Sequence, residues 1–158
     1  AVTFWSDLER AYTAAMRKKG TEFKAGRVSY FFDGAHLWYC LPSGRILCYP
    51  HARLDQDGIS YAKASWKPAA DAKEWPRARL WPGLACENVV QATAHCLLRE
   101  ALRALPEAVL HVHDEVVCET DDPARTTAEM TRVMTTPPDW AAGLPLGIEI
   151  KTMEVYGK

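Results

Sequence analysis

A chain of 158 residues, 48% apolar and 25% charged, is long enough to bury one core and has the balance of an ordinary globular protein. No apolar run approaches the roughly 20 residues that a membrane-spanning helix needs, and AVTFWSDLER turns polar too early for a signal peptide. The net charge of −1 excludes a nucleic-acid binder that relies on bulk basicity, so any polyanion contact must use a local patch or a partner's charge.

Taken in chain order, residues 4–19 read as a helix. Trp5, Leu8, Tyr12 and Ala15/Met16 recur at helical spacing, Thr3 or Ser6 can cap the start, and Gly20 stops it. Residues 27–49 read as an antiparallel meander. RVSYFF meets a turn at Asp33-Gly34, HLWYCL follows, then Pro42-Ser43-Gly44, then RILCY. Residues 50–83 are irregular, with prolines and scattered charges, and GISYAKASW adds one candidate strand. Lys67, Lys73, Arg77 and Arg79 there read as solvated surface or, more sharply, as contacts to a DNA backbone.

CENVVQATAHCLLREALRAL, 86–105, predicts a long helix ended by Pro106. Val90, Ala94, Leu97, Ala101 and Leu105 mark its apolar stripe, while Asn88, Gln91, His95 and Arg99 share another face. Residues 108–119 read as two buried strands joined at His113-Asp114-Glu115. Asp122-Pro123 opens a helix to about Met134, Pro137-Pro138 stops it, and GIEIK predicts a last strand. The order of elements predicts an α+β fold with an antiparallel sheet. Cys40, Cys48, Cys86, Cys96 and Cys118 are odd in number and form no CxxC, which predicts reduced, small apolar side chains in a reducing compartment.

The joint at 113–115 carries the chemistry. A purely structural hairpin prefers Asn-Gly or Asp-Gly, and two adjacent carboxylates repel. A hard divalent cation such as Mg²⁺, taking carboxylate oxygens, waters and substrate phosphates, would compensate them. His113 can donate to a phosphate or a base edge, with His111 two residues back on the same face. The alternatives are a charged surface turn, or a zinc site from His111, His113 and a cysteine.

VHDE, 112–115, resembles motif C of the family A DNA polymerases, the group of bacterial DNA polymerase I and many phage replicative polymerases. ENVVQATAHCLLREAL, 87–102, is similar to the palm helix that precedes that motif. LPSGRILCYP, 41–50, resembles the family's small hairpin, and FWSDLERAYTAAM, 4–16, resembles the helix after the nucleotide-binding helix. LPLGIEIKTMEVYGK resembles the C-terminus of phage-type members. Single-subunit RNA polymerases share the architecture but usually carry HDS, so Glu115 favours a DNA polymerase.

The resemblance implies an antiparallel palm sheet with packed helices, from the C-terminal part of a right-hand polymerase. Residues 1–26 would be the helix following the fingers, 27–85 a β-hairpin with an irregular segment, and 86–158 the palm helix, motif C hairpin and C-terminal helix and strand. It implies that Asp114 holds a two-ion Mg²⁺ site with Glu115 as accessory carboxylate, and that His113 sits near the primer terminus. Gln91 would reach the minor groove of the new base pair, whose acceptors are common to correct pairs. Asn88, Arg45, Arg77 and Arg79 are further candidate DNA contacts. Primer–template DNA and dNTPs are the implied partners, without a membrane, in the cytoplasm of a bacterium or a phage-infected host.

Departures accompany the likeness. Glu87 stands where bacterial members often have Asn, LWPGLA at 80–85 lacks the lysine of the phage pattern, and His95 and Cys96 replace commoner residues. Motif A, with the other metal-binding aspartate, and motif B, with its triphosphate-gripping helix, have no counterpart; FFDGAHL does not resemble motif A. The expectation is a split or processed polymerase, or a fragment, active with a second polypeptide that carries motifs A and B. It would expose an apolar face for that partner. A non-catalytic primer–template-binding remnant and an unrelated metal-dependent phosphoesterase are the other readings.

Overall fold

A computed structural model describes residues 2–64 and 75–157. Lys67, Lys73 and the end of GISYAKASW lie outside the described residues. The fold is α+β with antiparallel sheets, as the element order predicts, and it divides into two compact units, Ala1–Ala92 and Thr93–Lys158.

In the first unit, helix α1 spans Val2–Arg17. Leu8, Ala11, Tyr12, Ala15 and Met16 are buried, the three-and-four spacing of one helical face, whereas Trp5 remains 40% exposed. Four strands follow: β1 Glu22–Ala25, β2 Val28–Phe32, β3 Leu37–Cys40 and β4 Ile46–Tyr49, each antiparallel to the next. β1 was not expected, because EFKA has little apolar alternation. It forms because Gly26, at φ +58°, turns the chain back onto β2. Helix α1 covers the sheet, with Tyr12 edge-on to Tyr30 at 5.8 Å between ring centroids. The rings continue through Tyr39, Tyr49 and Tyr61 at 6.0, 5.2 and 5.0 Å, forming the core.

A second sheet occupies much of the stretch expected to be irregular. Its strands are β5 Arg53–Asp55, β6 Gly58–Ala62 and β7 Arg77–Leu80, antiparallel in that order. Of these only β6 was legible, since β5 and β7 carry charged residues at alternate positions. Ile59, Tyr61 and Leu80 bury one face against the tyrosine core, and Arg53, Ser60 and Arg79 line up across the other.

Helix α2 spans Pro82–Ala104, starting four residues earlier than the apolar pattern suggests, with proline as its first residue. The expected stripe is corrected in part. Val90 is 57% exposed and Ala94 is exposed, while Ala85, Val89, Cys96, Leu98 and Ala101 are buried. A helix that is apolar on more than one side leaves periodicity with two competing answers.

The second unit continues with β8 Ala108–Val112, β9 Glu115–Cys118 and helix α3 Pro123–Thr135. Asp122 caps α3, accepting the Arg125 backbone N–H at 3.1 Å. A short 3₁₀ turn, Asp139–Ala141, follows Pro137-Pro138. The strand expected over GIEIK does not form. Leu146, Ile148 and Ile150 keep their alternation and are half-buried, yet no described strand edge pairs with them, and a strand without a ladder is only extended chain.

Candidate active-site hairpin

β8 and β9 pair from Ala108↔Cys118 to Val112↔Glu115, so the loop is two residues, His113 and Asp114. The turn is tighter than the three-residue joint expected, and Glu115 is the first residue of β9. His113 takes φ +54° at the first loop position. Glycine usually supplies that conformation, and histidine is among the few other residues enriched there. Asp114 therefore sits at the apex, with its carboxylate and that of Glu115 both exposed.

The strands are less covered than two apolar runs suggested. Val109 is 57% exposed and Leu110 39% exposed, and the register slips between Ala108 and Leu110, leaving Val109 as a bulge. Cross-strand partners share a face, so Glu115 lies with Val112, Leu110 and Val117, while His111 lies opposite with Val116 and Cys118. His113, in the loop, does not continue the face of His111. Among the described residues no three His, Cys, Asp or Glu side chains converge as a metal site, so a zinc set from His111, His113 and a cysteine is not assembled.

A magnesium shell is a different test. It needs hard oxygen donors, a few from protein and the rest from water and substrate. Asp114 and Glu115 offer two such carboxylates, neither ion-paired to a described cation. The Tyr156 hydroxyl donates to Glu115 Oε2 across a long 3.4 Å. The pair fits part of a hard-cation site, and the remaining ligands must come from elsewhere.

The candidate DNA contacts lie in the first unit. Gln91 is exposed on α2. Asn88 donates from Nδ2 to the Tyr49 hydroxyl at 3.0 Å, which ties its amide to the core. Arg45 is half-buried beside the Pro42-Ser43-Gly44 turn, where its backbone carbonyl accepts from Leu41 N–H at 2.9 Å. Arg77 spans β6 and β7, donating from Nε to Ser60 Oγ at 3.1 Å and from Nη2 to the carbonyls of Ser60 and His51, each at 2.9 Å. Arg79 pairs with Asp55 at 2.7 Å and with Asp57 at 3.4 Å. Trp75 and Trp81, 62% and 53% exposed, flank these arginines. The signal for them in the sequence is WPRARLW, an aromatic–basic alternation of period two.

No helix among the described residues is long and apolar enough to cross a membrane. No protein-family model matches the chain. No solved structure matches it either. Over 162 aligned residues it is 30% identical to a DNA polymerase of Bacillus phage SP02. The alignment covers 99% of this chain and 25% of that protein, so the chain spans about a quarter of the curated relative's length.

Proposed function

For a chain related over nearly its whole length to a phage DNA polymerase, we propose the role of the palm portion of a family A DNA-directed DNA polymerase. The supporting observation is that the likeness runs through a hairpin whose two-residue loop carries His113 and Asp114, with Glu115 beside it. Asp114 and Glu115 would hold magnesium at the primer 3′-end, and His113 would contact the primer terminus. Magnesium bound there would lower the pKa of the primer hydroxyl and neutralise charge on the incoming triphosphate. Gln91 donates from its amide to minor-groove acceptors of the newest base pair, checking pair geometry without reading sequence.

Two carboxylates at one loop cannot complete a two-ion site. A second aspartate and the residues that grip the triphosphate come from a separate polypeptide or from a further segment of the same one. The exposed Val109 and Leu110 of β8 are the apolar surface such a segment would cover. Without it the chain would bind primer–template and extend nothing, the behaviour of a non-catalytic remnant.

Primer extension with Mg²⁺ and four dNTPs, using the protein from its native source with any co-purifying chain, tests the proposal. Extension that disappears in Asp114→Asn supports it. Absence of extension with every co-purifying chain present rejects it in favour of the remnant.

A further inference from the structure

The second sheet has a face with the makings of a nucleic-acid platform. Register aligns Arg53, Ser60 and Arg79 in one row across β5, β6 and β7, with Arg77 on the same side of β7. Ser60 and Ala62 are buried on that side, 7% and 5% exposed, and Arg77 reaches across to Ser60. Trp75 and Trp81 stand one alternation beyond each end of the arginines, 62% and 53% exposed. Trp75 and Trp81 are six residue steps apart, about 20 Å at strand rise.

The charges favour a polyanion. Every hydrogen-bond acceptor of the Arg77 guanidinium among the described residues is a neutral hydroxyl or carbonyl, so its hydrogen bonds hold the cation in place without pairing it to a carboxylate. Arg53 is exposed and is paired with no described carboxylate. Among the described residues Arg79 is the one of the three in a salt bridge, with Asp55 and Asp57, in exposed pairs of the kind that water and salt already weaken. The Trp81 ring leans on Gly83 while half its surface faces solvent.

We propose that this face binds single-stranded DNA, with bases stacked on Trp75 and Trp81 and phosphates on Arg53, Arg77 and Arg79. The occupant is a single strand because indole stacking needs an unpaired base face, whereas a duplex offers these side chains only its backbone. The inference rests on the chain handling DNA as proposed above, and it extends that reading to an unpaired template segment.

The test is fluorescence anisotropy of labelled dT12 and of a duplex of equal length, across a salt series, with the whole chain. Single-stranded binding at least tenfold tighter than duplex binding is expected. Trp75→Ala and Trp81→Ala should each weaken it about tenfold, with Trp81→Phe within about threefold of wild type. Arg53→Gln should reduce the slope of log affinity against log salt by about 0.7. Trp75→Ala decides the matter if Trp81→Ala misfolds. Equal affinity for duplex, or wild-type binding by a folded Trp75→Ala protein, overturns the platform. Primer extension that survives such a result would leave the polymerase proposal standing, and a working platform in a protein that extends nothing would do the reverse.

Discussion

The indole of Trp81 lies directly over the Cα of Gly83, so closely that a β-carbon at position 83 would overlap ring atoms Cζ3 and Cη2. Gly83 is the second residue of α2, where alanine would ordinarily favour a helix by about 1 kcal/mol. Here that gain meets the ring. Gly83→Ala should leave the melting temperature within a few degrees, because a half-exposed ring can swing aside, but it should shift tryptophan emission and near-UV circular dichroism. Unchanged spectra would mean that the ring does not rest there.

Asp114 is exposed at the loop apex and unpaired with any described cation. Asp114→Asn should therefore leave stability within about 0.5 kcal/mol, as for most surface changes. If the proposed function holds, the same change should cut primer extension at least 10²-fold, about 2.7 kcal/mol of activation free energy. Denaturation and extension assays on one preparation separate the two effects.

His113 holds φ +54°, a conformation that costs side-chain-bearing residues about 1 kcal/mol or more. His113→Gly should relieve that strain and firm the turn, while weakening any contact with a primer terminus. An extension rate that falls as the hairpin amides become better protected would separate the two roles of this residue.

Asp33 sets the turn between β2 and β3. Its Oδ1 accepts from the backbone N–H of His36 and of Ala35, and its Oδ2 accepts from the Trp38 indole, all at 2.7 Å. These donors, His36 first, hold the carboxyl down at about 2, from an ordinary 3.8. The folded state thus binds the proton less readily than the unfolded chain. The stabilisation is complete above about pH 4 and drains away as the pH falls towards 2. The stability gap between wild type and Asp33→Asn should narrow over that window, and a gap that stays constant from pH 5 to 2 would contradict the assignment.

Two tyrosines of the core should respond oppositely to loss of a hydroxyl. Tyr30 is fully buried with no hydrogen-bond partner for Oη among the described residues, and burial pushes its phenol well up. Tyr30→Phe should be neutral or stabilising by about 1 kcal/mol. Tyr49 accepts from Asn88, so Tyr49→Phe strands that amide and should cost about 1 kcal/mol. Chemical denaturation of the two variants side by side gives the comparison.

How far the sequence could be read follows from the kind of signal each element left. The helices at 4–19, 86–105 and 123–134 and the meander over 27–49 carry apolar periodicity and capping residues, and all formed. β5 and β7 were missed because RLD and RARL look like surface. What makes them strands is pairing with β6, a contact no local pattern announces. GIEIK shows the converse: the alternation is present and the partner is not. At the hairpin, the identity of His113, Asp114 and Glu115 could be read, but the two-residue loop could not, because histidine in a left-handed conformation is set by the register of the flanking strands. Asn88 and Arg77 were candidate DNA contacts on residue type alone. Their hydrogen bonds to Tyr49 and Ser60 join residues 39 and 17 positions apart, beyond the reach of any window.

The ladder of β8 and β9 has only two strands, and both of its outer edges are free among the described residues. Such a ladder is barely self-supporting in water. Its amide protons should exchange with solvent within seconds to minutes, long before those of β2 and β3 in the middle of the larger sheet. The loop with Asp114 would then be the last part of the chain to become rigid, and any strand added along β8 would be registered first as a slowing of that exchange.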